Sequence, residues 1–142
     1  MANKSRRKAR EEAVVILYQS DLLNKDVKNI IDTEILFGKQ LDDFTEELVL
    51  GVTKNLRDID NKIKSVVENW SLDRIAIIDR NIIRIAIFEM LYINEIPLKV
   101  SVDEAIEISK SLGAKDDTPR FVNGVLGKIL ADMQGIKNES LT

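Results

Sequence analysis

Residues 71–94 read SLDRIAIIDRNIIRIAIFEMLYIN, and this stretch decides the fold class. Its apolar residues cover nearly the whole circumference of a helix, and such a helix lies in the middle of a bundle. The many isoleucines are also typical of a β-strand, but the stretch is too long for one, and polar residues interrupt it at 79–81 and at Arg84. We therefore predict a central, buried helix.

The chain before this stretch also repeats apolar residues at helical spacing. We predict a first helix at 5–22 with Ser5 as its N-cap, and a second at about 26–36 that ends at Gly38. One apolar face that continues to Trp70 predicts a single long third helix. Gly51 lies inside that helix, at a cost of about 1 kcal/mol relative to alanine, which indicates close approach of a neighbouring helix.

Two further helices are predicted after Pro97, which breaks the chain. Ser101 and Glu104 form a capping box, so the next helix is predicted to begin at Ser101. Gly113 predicts a left-handed end to it. The whole pattern is all-α, with six to seven helices in one compact domain that spans residues 1–142.

The last helix is predicted to open at Thr118, an N-cap followed by proline. We expect it to end near Gly135 and to leave a frayed tail at 136–142. Its GxxG motif, Gly124 and Gly127, is interpreted as a site of tight helix packing rather than an RNA-clamping loop.

The composition narrows the function classes. The 142 residues include no cysteine and no histidine, so the usual general base and the commonest zinc ligands are missing. We expect no enzyme activity, no metal and no cofactor. No apolar run reaches the roughly 20 residues of a membrane span, and we expect a cytoplasmic protein that does not bind membranes.

The charges are divided unevenly along the chain. Five of the 21 Lys and Arg residues lie within residues 1–10, the basic arm, whereas all 24 Asp and Glu residues lie beyond it. Cations at a helix N-terminus oppose the helix macrodipole, which favours a bound anion.

Arg7 and Tyr18 lie three helical turns apart, with Arg10 and Val14 near the same line, so that phosphate contacts and base stacking are both available. A solvated helix start with Tyr18 in the core is the alternative.

A second candidate anion site is the helix N-terminus within residues 113–130, GAKDDTPRFVNGVLGKIL. Lys115 and Arg120 lie close to it, but Asp116 and Asp117 compete for the same backbone donors. Ordinary capping by these acids is favoured at this end.

Three segments together resemble the NusB family of bacterial transcription antitermination factors: SRRKAREEAVVILYQ at 5–19, DRNIIRIAIFEMLYINEIPLKVSVDEAIEISKSLGAKD at 79–116 and RFVNGVLGKI at 120–129. The resemblance implies two packed three-helix bundles and no catalysis. It also implies binding to boxA RNA together with NusE, a factor that is also a small-subunit ribosomal protein. The resulting antitermination complex helps RNA polymerase ignore terminators, especially on ribosomal RNA operons.

The resemblance also implies site residues. The RNA contacts carried over by position are Arg6, Arg7, Lys8, Arg10, Tyr18, Asp117 and Phe121. The contacts to NusE are Asp79, Arg80, Arg84 and Glu89. Lys8 stands where the family often has arginine, so its charge is kept but not its bidentate geometry.

Other functions stay open on sequence grounds. The same fold forms the N-terminal domain of certain ribosomal RNA cytosine methyltransferases, but their chemistry needs a cysteine and a large cofactor domain. A helical module that binds only protein is a second alternative, with the arm on an acidic partner. A membrane-surface helix is disfavoured because the core needs the apolar side of residues 9–20. The sequence does not decide whether the chain forms a homodimer.

Overall fold

The computed structural model describes residues 5–67 and 71–141, with side chains as far as residue 135. Over these ranges the chain forms seven α-helices and no β-strand, which confirms the all-α prediction. The helices are α1 (Arg6–Leu23), α2 (Val27–Leu36), α3 (Asp43–Lys54), α4 (Leu56–Val66), α5 (Ile77–Tyr92), α6 (Leu98–Leu112) and α7 (Thr118–Leu141), and a 3₁₀ turn (Leu72–Arg74) precedes α5. None of the described helices is both long and apolar enough to cross a membrane.

The helices pack as two groups. In the first group α1, α2 and α3 contact one another, and in the second α5, α6 and α7 do the same. The two groups meet where α1 and α3 pack against α5, and α1 also contacts α6. The fourth helix, α4, packs against α5 and α7, so it extends the second group beyond three helices.

Helix α5 lies at the centre of the molecule. Every residue from 81 to 90 is buried, and Ile83 and Ile87 are fully enclosed. This confirms the prediction drawn from its all-round apolar pattern. Because α5 contacts α1, α3, α4, α6 and α7, both groups share it as part of one hydrophobic core.

The prediction of one long third helix is wrong, because the chain breaks at Asn55. Asn55 has φ −110° and ψ 22°, and both its backbone N–H and its side-chain amide donate to the Gly51 carbonyl, at 3.0 and 2.9 Å. The backbone bond is the ordinary helical one, whereas the side-chain bond gives the same carbonyl a second donor that competes with helical bonding. The following helix α4 exposes Leu56, which the single-helix pattern places inward. The predicted end of the face, Trp70, lies outside the described residues.

The predicted capping box is also wrong. Helix α6 begins at Leu98, and the Ser101 side chain is buried in its first turns. The Ser101 hydroxyl donates to Glu89 Oε1 of α5 at 2.8 Å instead of capping its own helix. The Ser101 hydroxyl therefore bonds to a neighbouring helix rather than to the backbone of its own helix.

Glycines end two helices in different ways. Gly38 after α2 has φ +87°, the left-handed conformation that favours glycine. Gly113 after α6 has φ −60°, so its predicted left-handed end is wrong. A Cβ at Gly113 would clash with the Ser109 carbonyl and lie 2.7 Å from Thr118 Cβ, which makes glycine necessary for close approach.

Helix α7 begins at Thr118 and the Asp117 carbonyl accepts the first helical bond, from the Phe121 N–H at 3.1 Å. Its backbone stays helical to Leu141, beyond the predicted end near Gly135 and through most of the tail predicted to fray. The tight packing predicted for its GxxG motif is wrong: a Cβ at Gly124 or Gly127 would meet no atom within 4 Å.

The close approach predicted at Gly51 is confirmed. A Cβ added there would overlap three atoms of the Phe88 ring, which is buried on α5. Glycine therefore lets α3 lie directly against α5.

We expect Gly51→Ala to lower the free energy of unfolding by about 1–3 kcal/mol, because the methyl group overpacks the contact between α3 and α5. The matched control is Gly124→Ala at an exposed position of α7, which should raise stability by up to about 1 kcal/mol because alanine is the better helix former. Urea denaturation of both variants measures the two effects. A Gly51→Ala protein at least as stable as the wild type would contradict the packing described.

Candidate nucleic-acid interface

The first turn of α1 carries three consecutive cations. The Ser5 hydroxyl accepts the Lys8 backbone N–H at 3.1 Å and so caps the helix as predicted. Arg6, Arg7 and Lys8 follow, all exposed, and the turn contains no acid. By contrast α3 begins with acids in its first turn. The positive end of the α1 macrodipole therefore adds to the side-chain charges.

Arg6 stacks on the start of α3. Its guanidinium carbon lies 4.0 Å from the centre of the Phe44 ring. Cation–π contacts of this kind hold the side chain while its donors stay available at the edges.

Arg7 forms a bidentate ion pair with Glu104 of α6. Its Nε and Nη2 donate to the two carboxylate oxygens at 3.0 and 2.8 Å, and the Arg7 side chain remains 49% exposed. These hydrogen bonds hold the pKa of Glu104 below its ordinary value, although burial acts in the opposite direction. The same bonds raise the pKa of Arg7.

Arg10, expected to contact RNA, and Glu89, expected to contact NusE, bind each other in a buried ion pair. Arg10 Nε and Nη2 donate to both carboxylate oxygens of Glu89 at 2.8 Å, and the two side chains are only 5% and 1% exposed. Ser101 donates to the same carboxylate. A buried charge needs such partners. Arg10 therefore cannot offer its guanidinium to RNA, nor Glu89 its carboxylate to a partner protein, while this pair is intact.

The outward face of α1 differs from the predicted line. Arg10 and Val14 lie on the buried side. The outward stripe, spaced by three and four residues, consists of Lys8, Glu11, Val15, Tyr18 and Leu22. Tyr18 is half-buried there, so neither full exposure nor a core position describes it. This stripe joins the basic arm to the far end of α1.

The first turns of α5 form hydrogen bonds with the C-terminal end of α1 and with the start of α7. Asn81 donates to Asp21 of α1 at 3.0 Å, and buried Asp79 accepts from the Ala114 N–H at 2.9 Å and the Thr118 hydroxyl at 3.1 Å. Asp79 is thus bound within the fold rather than presented to a partner.

Three predicted RNA residues lie near the elements that these contacts join. Tyr18 precedes Asp21 by about one turn, while Asp117 and Phe121 flank Thr118. Asp117 is exposed and Phe121 is half-buried. Tyr18 thus lies toward the end of α1 that bonds to the start of α5, whereas Arg6, Arg7 and Lys8 lie in the first turn of α1.

The two remaining predicted partner residues belong to a polar network. Arg84 binds Asp60 through two bonds of 2.8 and 2.9 Å and Asp21 through a third of 2.9 Å. Arg80 donates to the Leu72 carbonyl at 3.1 Å and lies 3.6 Å from Asp21. Both arginines are therefore held internally, beside a groove of about 510 Å³ that the network partly lines.

Sequence reasoning missed the intramolecular acids that bind the arginines: Glu104, Asp21 and Asp60. The sequence does contain a signal that Arg10 and Glu89 are both buried. Arg10 lies three and seven residues before Ala13 and Leu17, which places it on the apolar face of α1. Glu89 lies inside a helix that is apolar all round, and a buried acid requires a cation.

We expect Glu89→Gln to lower the free energy of unfolding by about 3 kcal/mol, because the buried charge of Arg10 would lose both of its short bonds to a carboxylate and keep only the Glu104 oxygen at 3.5 Å. The double variant Arg10→Met/Glu89→Leu should recover much of this loss, since both charges leave the core together. Thermal or urea denaturation measures the difference. A double variant no more stable than Glu89→Gln would contradict the explanation by a buried, poorly paired charge.

Comparisons with known proteins agree with this architecture. Residues 7–131 match the model of the NusB family. The transcription antitermination protein NusB of Bacillus pumilus (strain SAFR-032) is 46% identical over 129 residues, which cover 91% of this chain and 97% of that protein. The NusB of Bacillus cereus (strain B4264) is 42% identical over 125 residues, covering 87% and 95%.

Solved structures share the fold. The structure of T. maritima NusB has a TM-score of 0.79 and 34% identity, and the match covers 90% of this chain and 92% of that one. A crystal structure of the antitermination factors NusB and NusE with double-stranded RNA has a TM-score of 0.75 at 23% identity, covering 87% and 94%. The chain therefore belongs to the NusB family of transcription antitermination proteins.

Proposed function

We propose that this chain binds single-stranded boxA RNA together with NusE, and that the complex helps RNA polymerase read through terminators, notably on ribosomal RNA operons. The observation that carries the proposal is the exposed cationic first turn of α1, formed by Arg6, Arg7 and Lys8 on a chain of net charge −3. Positive charge at this helix end is unfavourable unless an anion offsets it.

The RNA path runs along the outward stripe of α1. Lys8 and Tyr18 are ten residues apart, which corresponds to about 15 Å along a helix. A groove of about 370 Å³ lies beside the stripe, lined by the cations Lys8 and Lys39 and also by three carboxylates, Glu11, Glu12 and Glu34, so the phosphates are placed at the arm rather than in this groove. Phosphates bind at the arm, and a base stacks near Tyr18 and Phe121. Arg10 has no direct contact on this path, because it is buried.

A second protein is part of the proposal because the chain is acidic overall. NusE is the partner in a solved RNA complex of the same fold. Of the residues first expected to contact it, Arg84 stays a candidate because it lines a groove together with Asp21, and Arg80 stays one because it lies 3.6 Å from the same Asp21. Asp79 and Glu89 have an internal role instead. Asp79 joins α5 to the start of α7, and Glu89 joins α5 to α1.

We expect Arg6→Ala/Lys8→Ala to weaken binding to a boxA RNA oligonucleotide and to reduce its salt dependence. Each lost single-strand phosphate contact should lower the slope of log K against log salt by roughly 0.7. The matched control is Lys99→Ala/Lys110→Ala, which removes the same charge from exposed positions on α6. Fluorescence anisotropy over a salt series gives both slopes. Equal slopes for the two double variants would contradict binding at the arm.

We expect NusE and RNA to strengthen each other's binding by the same factor, because coupling between two sites is reciprocal. A factor of about ten corresponds to 1.4 kcal/mol. Calorimetry with each ligand alone and in the presence of the other measures it. An RNA affinity that is unchanged by NusE would contradict the joint binding.

A further inference from the structure

The Arg7 guanidinium is occupied by a carboxylate of the same chain. Its Nε and Nη2 edge, the edge that forms bidentate bonds to an oxyanion, is filled by both oxygens of Glu104. Carboxylate and phosphate present paired oxygens to arginine with matching geometry. Glu104 therefore sits where two phosphate oxygens would bind.

Glu104 is itself fixed in place. Its Oε1 lies 3.5 Å from Nη1 of Arg10, which the buried bond to Glu89 immobilises. The Glu104 side chain is 20% exposed, compared with 49% for Arg7. The carboxylate thus stays with the body of the protein, whereas the arginine has room to turn away from it.

We propose that Glu104 is an internal competitor of RNA phosphate that restrains Arg7, so that RNA binds at Arg7 only by displacing this carboxylate. The inference rests on the proposed RNA binding and adds a residue that sets its strength. Glu104 reduces affinity for any polyanion at Arg7, and a ligand with several well-placed contacts is best able to displace it.

The competition has a consequence for salt dependence. A cation that already carries a protein carboxylate contributes little counterion release when it changes to a phosphate, because the freed carboxylate recruits a counterion in turn. Arg7 should therefore add little to the salt slope of the wild type. Removing the Glu104 charge should restore its contribution.

The test is Glu104→Gln, which keeps the size of the side chain and removes its charge. We expect it to tighten binding of a boxA RNA oligonucleotide at low salt by about two- to fivefold, the range for release of one partly exposed ion pair. The salt slope should increase by up to roughly 0.7. Circular dichroism melting establishes that the variant is folded.

The matched control is Glu107→Gln, one turn further along α6. Glu107 forms an ion pair with Lys110 and acts on Arg7 only through space. It removes the same charge without breaking a bond to Arg7, so we expect a smaller gain in affinity and an unchanged slope.

Arg7→Ala and Arg7→Ala/Glu104→Gln complete a double-mutant cycle. The inference requires that Glu104→Gln tighten binding more when Arg7 is present than when it is replaced, where only the small through-space gain expected of Glu107→Gln remains. Equal gains in both backgrounds, or weaker binding by Glu104→Gln, would overturn it while the proposed RNA binding stood. Failure of the folded wild type to bind boxA RNA, with or without NusE, would instead overturn the proposed function.

Discussion

The buried ion pair between Arg10 and Glu89 fixes the orientation of α1, and the surface chemistry of the protein follows from that orientation. Successive residues of a helix point about 100° apart, so holding Arg10 inward turns Lys8 and Tyr18 to the outer side. The Thr45 hydroxyl adds a second restraint from α3, by donating to the Ala9 carbonyl at 3.0 Å. A helix held at two adjacent residues can neither rotate nor slide without leaving a charge unpaired in the core.

Helix α5 joins these restraints into one structure. Its polar residues are divided between its two ends, with Asp79, Asn81 and Arg84 toward the start and Glu89 toward the finish. The first group holds the end of α1 and the start of α7, and the last holds the beginning of α1. The apolar residues between them fill the core. The same helix therefore positions both ends of the proposed RNA path.

The sequence was most informative where one local pattern had one structural outcome. The all-round apolar pattern of α5 allowed only a central position, and Gly51 inside a regular helix indicated the contact that Phe88 makes. Local patterns failed where a distant partner intervened. Ser101 has the spacing of a capping box, but its hydroxyl binds Glu89. The apolar spacing of α3 continues almost unchanged past Asn55, so the spacing gives no sign of the break there. Arg10 reads as one more cation of the arm, because a list of charges does not distinguish an exposed guanidinium from a buried one.

The long-range ion pairs of α1 also bear on the order of events during synthesis. Arg10 finds its partner 79 residues later in the chain, and Arg7 finds its partner 97 residues later. Translation at roughly 5–20 residues per second leaves the arm without these acids for about 5–20 seconds. During that interval the nascent N-terminus carries its positive charges unneutralised beside the ribosome, itself largely RNA. Once α6 is complete, Glu104 can bind Arg7, and the positive charge of the N-terminus is then partly neutralised within the chain.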